Sequence, residues 1–186
     1  TAMAKHIDYY VSLNSPWTYL ASRRLEALAA KYKADVTIWP VDFGSVFSVS
    51  GGLPLPKRSP QRQAYRMMEL KRWREYLGSP LNIEPKFFPV PSDRSSLLII
   101  ACDLVHGTHA AMSLALAVMR GCWAEDRNID DEATLRLLRL FNEPAGHAEL
   151  IRRGVAERVV KDLSLLGISS ICNLLAAIKT ARYFEC

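Results

Sequence analysis

"HIDYYVSLNSPWTYLASRRLEALAAKYKADVTIWPVD", residues 6–42, changes its hydrophobic period twice. Ile7, Tyr9, Val11 and Leu13 alternate with His6, Asp8, Tyr10 and Ser12, a period of two that marks a strand. Trp17, Leu20, Ala21, Leu25, Leu28 and Tyr32 then recur at steps of three and four, with Arg23, Arg24, Glu26 and Lys31 between them. That spacing predicts an amphipathic helix ending near Lys33. "DVTIWPV" at 35–41 returns to strand character, and Pro40 places that strand near its end or at a sheet edge. Strand, helix and strand in this order form a βαβ unit with parallel strands.

Ser15-Pro16 lies at the junction between strand and helix. Serine caps a helix start and proline fits its first turn, so the pair needs no function. Ser59-Pro60 uses the same device. A helix start also presents unpaired amides and a positive dipole end, which favour an anion. A serine hydroxyl placed there can donate to a thiolate, lower the thiol's pKa and raise its reactivity. The sulfur would come from outside the chain, and glutathione is the candidate.

Beyond Asp42 the pattern changes. "GSVFSVSGGLPLPKRSP" reads as a loop, a helix is predicted over 60–77 with Gly78 as its stop, and "LNIEPKFFPVPSD" (81–93) is an irregular arm with three prolines. Helices are predicted over 94–105 and 108–123, split at Gly107, and over 131–141 with Asp130 as cap. The expected fold is α/β: a thioredoxin-like domain formed by 1–43 and 154–186, carrying a large all-helical insertion at 44–153. A hairpin and last helix are expected to complete the sheet, although 163–183 has helical periodicity.

Composition narrows the classes. The chain has 186 residues, 49% of them apolar, enough for one core. "LSLLGISSICNLLAAI" (163–178) is interrupted by Gly167, Ser169, Ser170 and Asn173 and is short for a membrane span. "TAMAKHIDYY" lacks the pattern of a signal peptide, so a cytoplasmic location is expected. Cys102, Cys122, Cys172 and Cys186 are scattered, without metal-ligand spacing, and read as reduced thiols. The net charge of +5 is concentrated in Lys57, Arg58, Arg62, Arg66, Lys71, Arg72 and Arg74, with no nucleic-acid motif beside them. A small anionic ligand suits these charges better than a polynucleotide.

N-S-P-W-T-Y-L at 14–20, P-V-D at 40–42, G-G-L-P-L-P-K-R at 51–58, R-W at 72–73 and W-A-E at 123–125 occur in order. Together they resemble the 2-hydroxychromene-2-carboxylate isomerases, relatives of kappa-class glutathione transferases and of DsbA-like thioredoxin folds. The likeness covers roughly residues 6–135. It implies glutathione as cofactor and Ser15 as the residue that activates its thiol. Asn14, Trp17, Lys57, Arg58 and Phe87 would contact glutathione or a small aromatic carboxylate substrate. It also implies a reversible isomerisation of 2-hydroxychromene-2-carboxylate to trans-o-hydroxybenzylidenepyruvate. A homodimer is expected, and the apolar tail "LLGISSICNLLAAI" would suit its contact. The family's later G-V-F/W-G-x-P turn and W-G-x-D-R segment have no counterpart here, where "RRGVAERVVKDLSLLGISSICNLLAAIKTARYFEC" follows and no proline occurs after Pro144.

Two other functions fit parts of the pattern: a kappa-like glutathione transferase acting on other electrophiles, and a non-catalytic oligomer-forming remnant of the fold. A disulfide oxidoreductase is disfavoured, since S-P-W-T stands where its cysteines are needed.

Overall fold

The inward side chains Ile7, Tyr9 and Val11 define the covered face of β1 (Lys5–Val11), as the alternation predicts. The computed structural model describes residues 5–141, with side chains through Leu138. α1 (Pro16–Tyr32) follows β1, and β2 (Ala34–Pro40) runs parallel to it, with Lys5 opposite Ala34 and Val11 opposite Pro40. Pro40 has no amide to donate, and pairing continues only through Val41 N to Val11 O at 2.8 Å. These are the only strands among the described residues.

The segment read as a loop after Asp42 begins with a helix, α2 (Phe43–Ser50). Its glycine and serines obscure the pattern, but Asp42 caps it, accepting from Gly44 N at 2.8 Å and Ser45 N at 3.2 Å. α2 buries no residue. At the G-G that follows, a side chain on Gly52 would collide with the Phe47 ring. A single 3-10 turn, Leu55–Lys57, leads to α3 (Pro60–Leu77), capped by Ser59 as expected. Gly78 closes α3 at φ 57°, donating to the carbonyls of Arg74 and Glu75.

α4 (Asp93–His106) and α5 (Thr108–Ala124) meet at Gly107, whose φ 80° and ψ 168° are essentially restricted to glycine. α6 (Glu132–Phe141) is capped by Asp131 rather than the predicted Asp130: Asp131 Oδ2 accepts from Thr134 N at 2.8 Å. Asp130 is turned toward Arg94, 3.8 Å away.

α5 is the central helix. It packs against α1, α4, α6 and β2, burying Ala111, Leu114, Ala115, Val118, Met119, Cys122 and Trp123. One apolar cluster therefore runs from Val11 and Ile38 through Tyr19, Leu70 and Ile99 to Leu135 and Leu138. A polar thread crosses it. Ser22 Oγ donates to Thr18 O at 2.6 Å, so Tyr9 OH, 2.7 Å away, donates to Ser22. The thread fixes α1 against β1, and burial pushes the Tyr9 phenol above its ordinary pKa.

No helix among the described residues is long and apolar enough to cross a membrane. The expected return of the chain at 154–186, the apolar stretch at 163–178, and Cys172 and Cys186 lie outside the described residues.

Candidate functional site

Ser15 is the N-cap of α1, with extended backbone at φ −98° and ψ 126°. Its backbone N donates to Ser12 O at 3.1 Å, and its carbonyl accepts from Tyr19 N at 3.0 Å, so the residue is held at both ends. The hydroxyl accepts one long bond, 3.4 Å, from Thr18 N, and donates none among the described residues. It is half-buried at the helix's positive end, with its proton uncommitted.

Asn14 braces this turn. Its Oδ1 accepts from the buried Ser12 hydroxyl at 2.8 Å, and its Nδ2 donates across 76 residues to Val90 O at 3.0 Å. The Pro-rich arm is thereby tied to the start of α1. The same arm is fixed further along its length: Asn82 N donates to Trp123 O at 2.6 Å, Lys86 N donates to Asp126 Oδ1 at 3.0 Å, and the Phe88 ring packs 4.9 Å from Trp123. The Phe88–Pro89 peptide is cis. Trp123 is fully buried, and its Nε1 finds no hydrogen-bond partner among the described residues.

The other residues singled out in the sequence take differing positions. Trp17, in the first turn of α1 and two residues after Ser15, is 37% exposed. Phe87 is exposed, with the Lys86 ammonium 5.3 Å from its ring centre. The neighbouring Phe88 is the arm aromatic that turns toward the core. Lys57 is exposed on the 3-10 turn. Arg58 is half-buried, and its Nε donates to Leu53 O at 2.8 Å, which fixes the guanidinium. Arg66, which the sequence placed only within a group of charges suited to a small anionic ligand, is half-buried on α3, with its guanidinium carbon 5.5 Å from the centre of the Phe88 ring. The helical spacing of Arg66 revealed nothing of this, because the partner ring comes from the distant arm.

The remaining motif residues hold structure. Glu125 of W-A-E pairs with Arg120 at 2.8 Å and Arg127 at 2.9 Å. Arg72 and Trp73 of R-W line an open groove of about 320 Å³ with Glu69 and Tyr76, apart from the residues grouped around Ser15. Neither thiol among the described residues belongs to the α1 start. Cys102 is on α4, and Cys122 on α5 is buried, its thiol pushed up to about 12, first by burial and then by the nearby Asp126 carboxylate. No cluster of metal-ligating side chains occurs among the described residues.

At the start of α1 an uncommitted hydroxyl proton lies at a helix's positive end, a combination that can favour an anion, while Lys57 and Arg58 lie on a separate turn with no contact to Ser15 among those described. Comparisons with known proteins agree with this architecture. Kappa 1 glutathione S-transferase of Caenorhabditis elegans is 35% identical over 83 residues, 44% of this chain and 36% of that protein, so the chain spans little more than a third of that relative's length. A solved 2-hydroxychromene-2-carboxylate isomerase superposes with a TM-score of 0.53 at 21% identity, over 84% of this chain and 80% of its own. The cytosolic disulfide reductase DsbM from Pseudomonas aeruginosa gives 0.52 at 17% identity, over 94% and 78%. These two likenesses concern the fold. The profile of the DSBA-like thioredoxin domain matches residues 6–148, more than half of the chain, and with the parallel βαβ unit and its helical elaboration in place, the chain belongs to that family.

Proposed function

We propose that the chain is a glutathione-dependent isomerase interconverting 2-hydroxychromene-2-carboxylate and trans-o-hydroxybenzylidenepyruvate. The observation that supports this most is Ser15, whose hydroxyl keeps an uncommitted proton at the N-terminus of α1. Glutathione, when bound, supplies a thiol able to add to and leave a conjugated double bond, which permits rotation about it. Ser15 donates a hydrogen bond to that sulfur and, with the helix dipole, favours its ionised form. Asn14 holds the Ser12–Ser15 turn against the arm, so the hydroxyl keeps its position. Trp17 offers an apolar wall, and Lys57 and Arg58 offer cations for carboxylates.

Glutathione thiolate has an ultraviolet absorbance that the thiol lacks, so titrating bound glutathione against pH reads its ionisation. The expected result is a thiol pKa well below that of free glutathione, restored toward it in Ser15→Ala. Absence of binding at millimolar glutathione, measured by calorimetry, overturns the proposal.

A kappa-like transferase acting on other electrophiles uses the same Ser15 geometry, and the similarity to the kappa 1 enzyme favours keeping it as the second reading. Transfer of glutathione onto 1-chloro-2,4-dinitrobenzene without isomerase turnover would select it. Glutathione use fits a reducing, cytoplasmic location. The exposed Phe43, Val46 and Val49 of α2 support the homodimer, which light scattering of the full chain tests.

A further inference from the structure

Arg66 and Arg58 are half-buried, and neither forms an ion pair among the described residues. They are close enough that Arg58 acts on Arg66: burial first, and then the charge of Arg58, pull the Arg66 guanidinium below its usual pKa. Two like charges held together without an acid form a standing electrostatic cost. That cost is partly offset by the Phe88 ring under the Arg66 guanidinium. A bound anion would offset the rest.

The position is defined by two contacts and the order of the chain. Phe88 is wedged against Trp123, Val90 two residues later accepts from Asn14, and Asn14 precedes Ser15. The ring under Arg66 therefore belongs to the same pinned arm that braces the Ser15 turn. With its guanidinium carbon 5.5 Å from the Phe88 ring centre and no acid paired to it among the described residues, Arg66 has N–H donors left for a planar carboxylate, which arginine can bind bidentately.

The geometry points to Arg66, supported by Arg58 and floored by Phe88, as the residue that selects a carboxylate-bearing aromatic electrophile over its neutral counterpart at the Ser15 site. For the identity of the electrophile this rests on the function proposed above, but the preference itself is a binding property that needs no glutathione. The shared chemistry is a carboxylate, and it could be that of the electrophile or one of glutathione's own.

Three probes separate these sources: trans-cinnamate, its neutral amide cinnamamide, and S-methylglutathione, each titrated calorimetrically into the full chain. The wild-type protein is expected to bind cinnamate at least about tenfold more tightly than cinnamamide. Arg66→Gln is expected to bring that ratio close to one while leaving S-methylglutathione affinity unchanged, and Arg66→Lys to restore part of it. Arg66→Met, which keeps an unbranched stem over the Phe88 ring, repeats the measurement if Arg66→Gln does not fold.

No acid preference in the wild type, a preference that survives both variants, or a loss confined to S-methylglutathione each overturns the assignment. An acid preference dependent on Arg66 in a protein that fails to ionise glutathione removes the isomerase reading and leaves this one standing.

Discussion

The side-chain amide of Asn14 donates to the Val90 carbonyl at 3.0 Å, joining the turn before α1 to an arm 76 residues later in the chain. It is a positioning bond, since Asn14 also accepts from Ser12, which is only 3% exposed. Asn14→Ala leaves that hydroxyl without its acceptor and the arm without its tie. The expected cost is about 1–3 kcal/mol in urea unfolding. Isomerase turnover is expected to fall in parallel, and a variant as stable as wild type would show that the bond contributes nothing.

Ser15 and Ser59 cap α1 and α3 with equally long bonds, 3.4 Å from Thr18 N and from Arg62 N. Alanine at either position should therefore cost a similar amount of stability, about 0.5–1 kcal/mol. Activity separates them. Ser15→Ala is expected to lower glutathione-dependent turnover by about 100-fold, as loss of a preorganised donor does, while Ser59→Ala leaves it near wild type. Equal losses of activity would reduce Ser15 to a cap.

Asp42 gives α2 a pH-dependent cap. The Ser45 hydroxyl, 2.6 Å away, is the largest influence holding its carboxyl below the ordinary value, and the Gly44 and Ser45 amides add to it. A carboxyl depressed in the folded state stabilises fully above its unfolded pKa and loses that contribution as pH falls through the folded one. The stability difference between wild type and Asp42→Asn should therefore be constant from pH 7 to about 5 and shrink below about 4, the unfolded aspartate range. Urea midpoints followed by circular dichroism at stepped pH would show this, and a difference that grows on acidification contradicts it.

Cys122 should be inert. With its thiol pushed up to about 12, the ionised fraction at pH 8 is on the order of 10⁻⁴. Mass mapping after brief iodoacetamide treatment is expected to find Cys122 unmodified in the native protein and alkylated after denaturation. Rapid native labelling would mean that α5 opens.

Much of this was legible because local rules agreed with the fold. Ile7, Tyr9 and Val11 alternate because one face of β1 is covered, Ser15 and Ser59 cap helices, and Gly78 and Gly107 stop them where other residues would be strained. α2 was not legible, since "FGSVFSVS" combines poor helix formers with no buried face to impose a period. The shift of the α6 cap from Asp130 to Asp131 is a one-residue difference between two identical side chains, which spacing alone does not rank. Within the site, Ser15 could be located from its neighbours in the chain. Of Arg66 the sequence showed the charge but not the surroundings, because Phe88 and Arg58 are brought to it only by the arm and the 3-10 turn. Which of Phe87 and Phe88 faces inward depends on the path of a proline-rich segment that follows neither helical nor strand spacing.

α2 stacks Phe43 on Phe47 at 5.6 Å yet buries nothing, held at its ends by Asp42 and by the tight passage at Gly52. Such an element is insulated from the core in a way that α5 is not. The exposed Val46 and Val49 can therefore change without repacking the interior, so any cost of changing them falls on what the segment meets outside the chain. Drift at those two positions would alter the outer surface of the helix while leaving the fold intact.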